Sequence, residues 1–211
     1  MVIKNKRILI TAGPTWVAID SVRVISNIAT GETGILLAEK LKSLGANVTL
    51  LLGAVQNCCL DKKIRLIRFK FFDELKNAVI KELRSKKYDI VIHSAAVSDY
   101  RPLKTYTQKV KSSRAIWKLN LVPTIKIIDL IKRIDRSLFL VGFKFEPRVS
   151  KGILIKRAKA LMRKAHLDFA VANTIDKNQY RAYIINHNKI HGPLFDRGHL
   201  AKKLIEIIAD Y

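Results

Sequence analysis

Cysteine is nearly missing from these 211 residues: there are two, Cys58 and Cys59, and they are neighbours. A bridge between adjacent residues is strained and two thiols cannot build a disulfide framework, so the pair reads as reduced and structurally incidental. Acidic residues are scarce as well. Seventeen Asp and Glu stand against 40 Lys and Arg, a net charge of +23, which points to anionic partners: nucleic acid, a membrane surface or small anionic substrates. Long hydrophobic runs are absent. The charge-free stretch from Gly45 to Leu60 contains Asn47, Gln56 and Asn57 and is too short and too polar to span a membrane. The N-terminus offers only a short apolar run before Gly13-Pro14. No signal peptide is visible, and a cytoplasmic location is expected.

Several motifs are missing too. No GxGxxG follows the first apolar run, which speaks against a nicotinamide-binding unit, and no Ser-His-Asp order or nucleophile elbow occurs. The basic residues are scattered from Lys4 to Lys203 without zinc-finger spacing or an aromatic-interleaved stripe, so nothing beyond charge supports nucleic-acid binding. No repeat, low-complexity segment or domain linker is evident, and the chain reads as one domain, 1–211.

What is present is alternation. Short β-branched runs at 7–12, 47–53, 64–69, 89–95, 138–145, 168–173 and 181–186 read as strands. Between them, 32–44, 72–86, 124–134, 151–165 and 198–209 carry helical spacing, as in Leu75, Val79, Ile80 and Leu83. Continuous apolar strands alternating with helices predict an α/β, Rossmann-like three-layer fold with a mostly parallel central sheet. Such sheets bind ligands beyond the carboxyl ends of their strands, here just after Ala12, Ser94, Phe143 and Ala172. The polar, basic connection from Pro102 to Pro123 is too long for an ordinary loop. Its tail AIWKLNL alternates apolar and polar residues, so a protruding β arm or flap is expected over 102–123.

Three places could carry chemistry. After the first strand, the glycines Gly31 and Gly34 arrive late, at the start of the 32–44 helix, where free backbone N–H groups would hold an anion. Arg23 and Asn27 lie upstream in the same long loop. The second place is SAAVSDYRP (94–102), where Ala95 and Ala96 leave room for a ligand against the backbone. Asp99 there could accept from a base amine or ligate a metal. The third is KVK (109–111), whose lysines could close over an anion. Each has a plain alternative: an ordinary helix cap, a small-residue turn with a capping Asp, and a solvated basic loop. His93 ends a strand and reads as a packed residue, and His187 and His191 sit in a Gly/Asn-rich turn without a carboxylate partner.

Taken in order, TAGPT…IDSVRVISN…TGETG, then AAVSDY, KVK, PTIKII, VGFKFE and DFAVAN resemble the phosphopantothenate–cysteine ligases over nearly the whole chain. The resemblance is to the stand-alone form, without the flavin-dependent decarboxylase and with no flavin site. It implies a homodimer that joins 4′-phosphopantothenate to L-cysteine in coenzyme A biosynthesis. CTP, or ATP in some members, would activate the acid with Mg²⁺ as an acyl-nucleotidylate; neither nucleic acid nor membrane is implied as a partner.

By motif matching, the resemblance gives Arg23, Asn27 and Lys109 catalytic roles. Asn27 would donate to the acyl oxygen when cysteine attacks, and Lys109 would meet the triphosphate. Gly31, Gly34, Ala95 and Ala96 would bind substrate. Asp99, Lys109, Thr124, Ile125, Lys126, Ile127, Phe143 and Lys164 would bind nucleotide, with Asp99 also on the metal. The chain departs from the family pattern at Ala29–Thr33, at Ser112, at Lys126 where fused bacterial members carry Asp, and at Ala160. Two competing readings are a Rossmann oxidoreductase binding NAD(P), for which the second strand lacks a terminal acid, and a basic nucleic-acid-binding module without catalysis.

Overall fold

A computed structural model describes residues 3–55, 60–112, 115–177 and 179–210. Cys58 and Cys59 lie outside the described residues. Among the described residues eight strands form one sheet in the order β12-β11-β10-β9-β6-β1-β4-β5. In chain order these are β1 (Arg7–Ala12), β4 (Asn47–Leu52), β5 (Arg65–Arg68), β6 (Ile90–His93), β9 (Phe139–Phe145), β10 (Phe169–Asp176), β11 (Gln179–Ile185) and β12 (Ile190–Leu194). The run β5 to β10 is parallel, and β11 and β12 add antiparallel. The helices are α1 (Glu32–Ser43), α2 (Phe72–Ser85), α3 (Ile127–Ile134), α4 (Lys151–Ala165) and α5 (Arg197–Asp210).

Alternation along the strands explains the three layers. Ile8, Ile10 and Ala12 of β1 and Ile90 and Ile92 of β6 face one way, onto Leu37, Ala38 and Leu41 of α1 and Leu200, Leu204 and Ile208 of α5. The intervening Leu9, Val91, Leu140 and Ala170 face the other way, onto Leu75 and Val79 of α2, Ile127 and Ile131 of α3, and Leu154 and Met162 of α4. Period-two strands with apolar residues on both faces require helices on both sides.

Besides β12, four short strands escape the sequence pattern. β2 (Trp16–Ala18) and β3 (Val24–Ser26) make a hairpin inside what reads as the long first loop. β7 (Tyr100–Pro102) and β8 (Leu121–Pro123) pair at the base of the arm. Beyond that base, the described residues of 103–120 lie in no strand. The alternating tail therefore pairs only at Leu121–Pro123, and the segment folds back onto the hairpin: Tyr106 N–H donates to Ile19 O (3.0 Å) and Thr105 Oγ1 to Ala18 O (3.3 Å). α3 starts three residues later than its apolar pattern suggests. Thr124 is instead tied to the loop after β6, its N–H to Asp99 O (2.9 Å) and its hydroxyl to Ser98 O (2.6 Å). β12 is hidden in the sequence by Gly192-Pro193, yet Ile190 and Leu194 pair with β11.

Candidate active site

The chain order reverses between β1 and β6. From β1 the sheet grows through β4 to β5; from β6 it grows through β9 to β10. The loops leaving these neighbours diverge to opposite faces, and the crevice they leave is where open α/β sheets hold ligands. Below it the two loops are knitted together. Ala96 N–H donates to Gly13 O (2.9 Å), Thr15 N–H to Ala96 O (3.3 Å), Ser94 Oγ to Thr11 O (2.7 Å) and Ser98 N–H to Thr15 Oγ1 (2.9 Å). The AAVS segment is thus a fixed floor.

Over one side stands the amino end of α1. Gly31 caps it with φ 72°, in the left-handed region that glycine enters without strain. Gly34 has a different task. A Cβ there would lie 2.4 Å from the Ala12 Cβ and 2.8 Å from Ser94 Oγ, so its bareness lets the first turn of α1 sit on the strand ends. The N–H groups of that turn are then held at the crevice, where the helix dipole favours an anion. Glu32, at the first helical position, pairs with Arg197 (3.3 Å).

The β2–β3 hairpin and the arm are locked through one buried carboxylate. Asp20 Oδ1 accepts from Val22 N–H (2.9 Å) and Arg23 N–H (2.8 Å); Oδ2 accepts from Val110 N–H (3.1 Å) and from Arg23 NH1. Burial pushes this carboxyl up, but the three N–H groups and the guanidinium outweigh it and hold its pKa at about 2. Arg23 NH1 also donates to Val110 O (3.2 Å), and its guanidinium lies 5.3 Å from the Trp117 ring centroid. Lys109 is therefore attached to the hairpin through its neighbour Val110. Its own ammonium is exposed and makes no ion pair among the described residues.

Other residues singled out from the sequence fall as follows. Asn27 directs its amide N–H group to Ala96 O and Val97 O, both at 3.1 Å. The amide donors are thus engaged by the floor, whereas the expected role toward an acyl oxygen needs one of them free. Asp99 Oδ1 accepts from Lys126 Nζ at 2.5 Å, joining two of the nucleotide candidates in an exposed pair. Thr124 is buried beside them and Ile125 is exposed. Ile127 packs into the core, so only its backbone can meet a ligand. Phe143 is half-buried near the carboxyl end of β9.

Lys164 is displaced from the site. It lies in the last turn of α4, which runs antiparallel to the strands, and the following Asp168 N–H donates to Leu140 O at the amino end of β9. Fifteen helical residues span about 22 Å, which puts Lys164 at the opposite edge of the sheet. Matching by sequence spacing alone cannot see helix direction.

Asp99 is the carboxylate the sequence offered to a metal. Lys126 occupies it, and among the described residues no three His, Cys, Asp or Glu gather to hold an ion. The donor set does not fit a resident Mg²⁺. His93 is buried with Nδ1 2.8 Å from Thr11 Oγ1, and burial lowers its pKa to about 4. It is a neutral packing residue. Asn173, immediately after Ala172 on β10, escapes the sequence reading; its buried amide oxygen has no hydrogen-bond partner among the described residues. The strand-end rule points there, but DFAVAN gives no reason to separate Asn173 from its apolar neighbours.

Comparison with known proteins agrees with this architecture. Residues 3–211 match the family described as the DNA/pantothenate metabolism flavoprotein C-terminal domain. The coenzyme A biosynthesis bifunctional protein CoaBC of Thermococcus kodakarensis is 38% identical over 173 residues, 82% of this chain and 42% of that protein. Its counterpart in Borreliella burgdorferi is 32% identical over 216 residues, 98% of this chain and 53% of that protein. The chain spans about half the length of these curated relatives. The crystal structure of the DNA/pantothenate metabolism flavoprotein from Streptococcus pneumoniae superposes with a TM-score of 0.87 at 28% identity, covering 98% of this chain and 99% of that one.

Proposed function

The chain belongs to the DNA/pantothenate metabolism flavoprotein C-terminal domain family, and from that premise we propose that it joins 4′-phosphopantothenate to L-cysteine through an acyl-nucleotidylate made from CTP. The carboxylate oxygen attacks the α-phosphorus of the nucleotide, and pyrophosphate leaves. The unprotonated cysteine amine then attacks the acyl carbon, the bond to the nucleotide oxygen breaks, CMP departs and the amine gives up a proton to solvent.

The observation that carries this reading is the lock at Asp20, which ties the hairpin bearing Arg23 to the arm bearing Lys109 beside the fixed Ala95-Ala96 floor. Catalysis of this kind needs positioning and cationic stabilisation rather than a protein nucleophile. The first turn of α1 and the remaining guanidinium nitrogens of Arg23 hold the acid. Lys109 faces the charge that develops as pyrophosphate leaves. Thr124, Ile125, Lys126 and Phe143 take the base and ribose, and the Asn27 amide oxygen accepts from the cysteine amine. Mg²⁺ would enter with the nucleotide and offset its phosphate charge, without a resident protein site. The active species is a homodimer.

The test is direct. Purified protein is incubated with 4′-phosphopantothenate, L-cysteine and CTP, and 4′-phosphopantothenoylcysteine and pyrophosphate are measured, with ATP in a parallel arm. Stoichiometric product and pyrophosphate are expected with CTP. Product with ATP alone would overturn the nucleotide assignment, and no product with either would overturn the reaction.

A further inference from the structure

The edge of the sheet opposite the crevice holds a cleft of about 420 Å³ that the ligase reading does not use. Five segments converge there: the first residues of β1, β4 and β5, the last turn of α1, and the chain leaving α2. Six of the eleven lining side chains are cationic and none is acidic; the others are Asn47, Val48, Thr49, Ser85 and Tyr88. We propose that this cleft, walled by Arg7, Lys42, Lys63, Arg65, Lys86 and Lys87, is a second binding site that takes a small polyphosphate-bearing anion.

The local charges support this. Among the described residues one carboxylate, Glu82, forms ion pairs with these cations, and it is already saturated. Arg65 holds it through two hydrogen bonds (2.5 and 2.9 Å), the Tyr88 hydroxyl donates to it (2.5 Å), and Lys86 lies 4.0 Å away. Glu82 is buried and its pKa is lowered: burial raises it, and the Arg65 and Tyr88 hydrogen bonds more than offset that. It therefore offsets one positive charge and no more. Asp89 Oδ2 accepts from the backbone N–H of Arg7 (2.7 Å), leaving the guanidinium unpaired. Among the described residues Arg7, Lys42, Lys63 and Lys87 make no ion pair; Lys42 reaches Ala46 O (3.4 Å), and Lys87 acts on Asp135 only at longer range.

Helix ends explain part of this and not the rest. A carboxyl-terminal helix end favours cations, which accounts for Lys42 on α1 and Lys86 after α2. Arg7, Lys63 and Arg65 sit at or just before the starts of strands, where no such dipole exists. Like charges gathered in a concave site raise the local concentration of a multivalent anion. The floor indicates the size of the ligand. Thr49 and Tyr88 are buried, and the Tyr88 hydroxyl is engaged by Glu82 and Thr49. No open aromatic face is offered to a base, as a single-stranded nucleic-acid channel would require. A compact anion with several charges fits. Five residue steps of β1 separate the cleft from the crevice, about 17 Å, so one ligand of this size cannot occupy both.

Inorganic tripolyphosphate is the probe, read by amide chemical shifts in the isotopically labelled chain. Saturable shifts are expected at Asn47–Thr49, Lys63–Arg65 and Ser85–Tyr88. The triple variant Arg7→Gln, Lys63→Gln, Lys87→Gln should weaken them by at least about tenfold, while Lys63→Arg with Lys87→Arg keeps them. Lys109→Gln should leave them unchanged, whatever it does to ligase turnover, so this result stands apart from the ligase reading. The proposal is overturned by silence of these amides at millimolar tripolyphosphate, by a triple variant within twofold of the parent, or by sodium chloride of equal ionic strength giving the same shifts. Tighter binding of a DNA or RNA duplex there would assign the cleft to nucleic acid instead.

Discussion

Lys109 carries a charge that no carboxylate among the described residues answers, and Val110 beside it is pinned on both sides of its peptide. An unpaired ammonium on a fixed backbone is suited to charge that appears only during reaction. Lys109→Gln should lower pyrophosphate release by about a hundredfold or more while leaving the melting temperature unchanged; release within a few-fold of the parent would remove Lys109 from the site. Asn27 behaves differently, because its amide group donates to Ala96 O and Val97 O. Asn27→Asp sets a carboxylate against two carbonyl oxygens, so both half-reactions should fall together as the floor moves. Quenched single-turnover mixtures that accumulate acyl-nucleotidylate would show instead that only the second step depends on Asn27. His93 titrates stability. Its folded pKa of about 4 lies below the unfolded value near 6.5, so its contribution is complete above 6.5 and is lost as pH falls toward 4. The loss runs at about 1.4 kcal/mol per pH unit across that window. Urea unfolding of His93→Asn should show a shallower slope there, and an identical slope would mean that His93 titrates normally.

At the scale of elements, the hairpin and the arm form one unit. Each is short: the hairpin strands are three residues long, as are the strands at the arm's base, and pairs of that length are not stable alone. Asp20 supplies what they lack by accepting from three backbone N–H groups and a guanidinium. Asp20→Asn keeps the shape but turns one acceptor into a donor facing other donors. The arm should then detach, and trypsin should cut at Lys104, Lys109 and Lys111 several-fold faster while the rest of the chain resists. The nucleotide KM should rise more than kcat falls. Unchanged cleavage would show that the arm is held by other contacts. The depressed pKa also fixes the sign of the pH effect: the lock is intact above the ordinary carboxyl pKa near 3.8 and loosens only as pH falls toward 2.

At the scale of the whole molecule, an exposed apolar surface adjoins this unit. Val22 on the hairpin turn, Ile28 beyond it and Leu103 and Ile116 in the arm are all largely exposed, Ile28 completely. Several exposed apolar side chains on the hairpin, the arm and the chain between them favour association, and a second copy of the chain is the proposed occupant. Light scattering at micromolar concentration should give twice the chain mass. Leu103→Lys with Ile116→Lys should give the monomer, and a monomeric parent protein would sink the assignment. The +23 charge opposes self-association at low salt, so the dimer should tighten as salt is raised through the physiological range.

The sequence by itself determined the layers and the family. Apolar runs such as RILITA and DIVIH, alternating with helical spacing, need no tertiary information to be read, because period and burial are local properties of the chain. The ordered motifs from TAGPT to DFAVAN likewise marked the family and pointed to the strand ends where the candidate site is placed. What tertiary structure decided was direction and partnership. Lys164 is near the site in motif order but far from it in space, because α4 carries it back to the amino edge of the sheet. Asn27 reads as a free donor until Ala96 and Val97, about seventy residues away, take its hydrogens. KVK (109–111) also reads as a solvated basic loop until Asp20, ninety residues from Val110, binds the Val110 N–H. Long-range hydrogen bonds leave no periodic trace in a sequence. The same reason hid the basic cleft: its six cations are scattered from Arg7 to Lys87 and become one site only when strand starts and helix ends meet at one edge of the sheet.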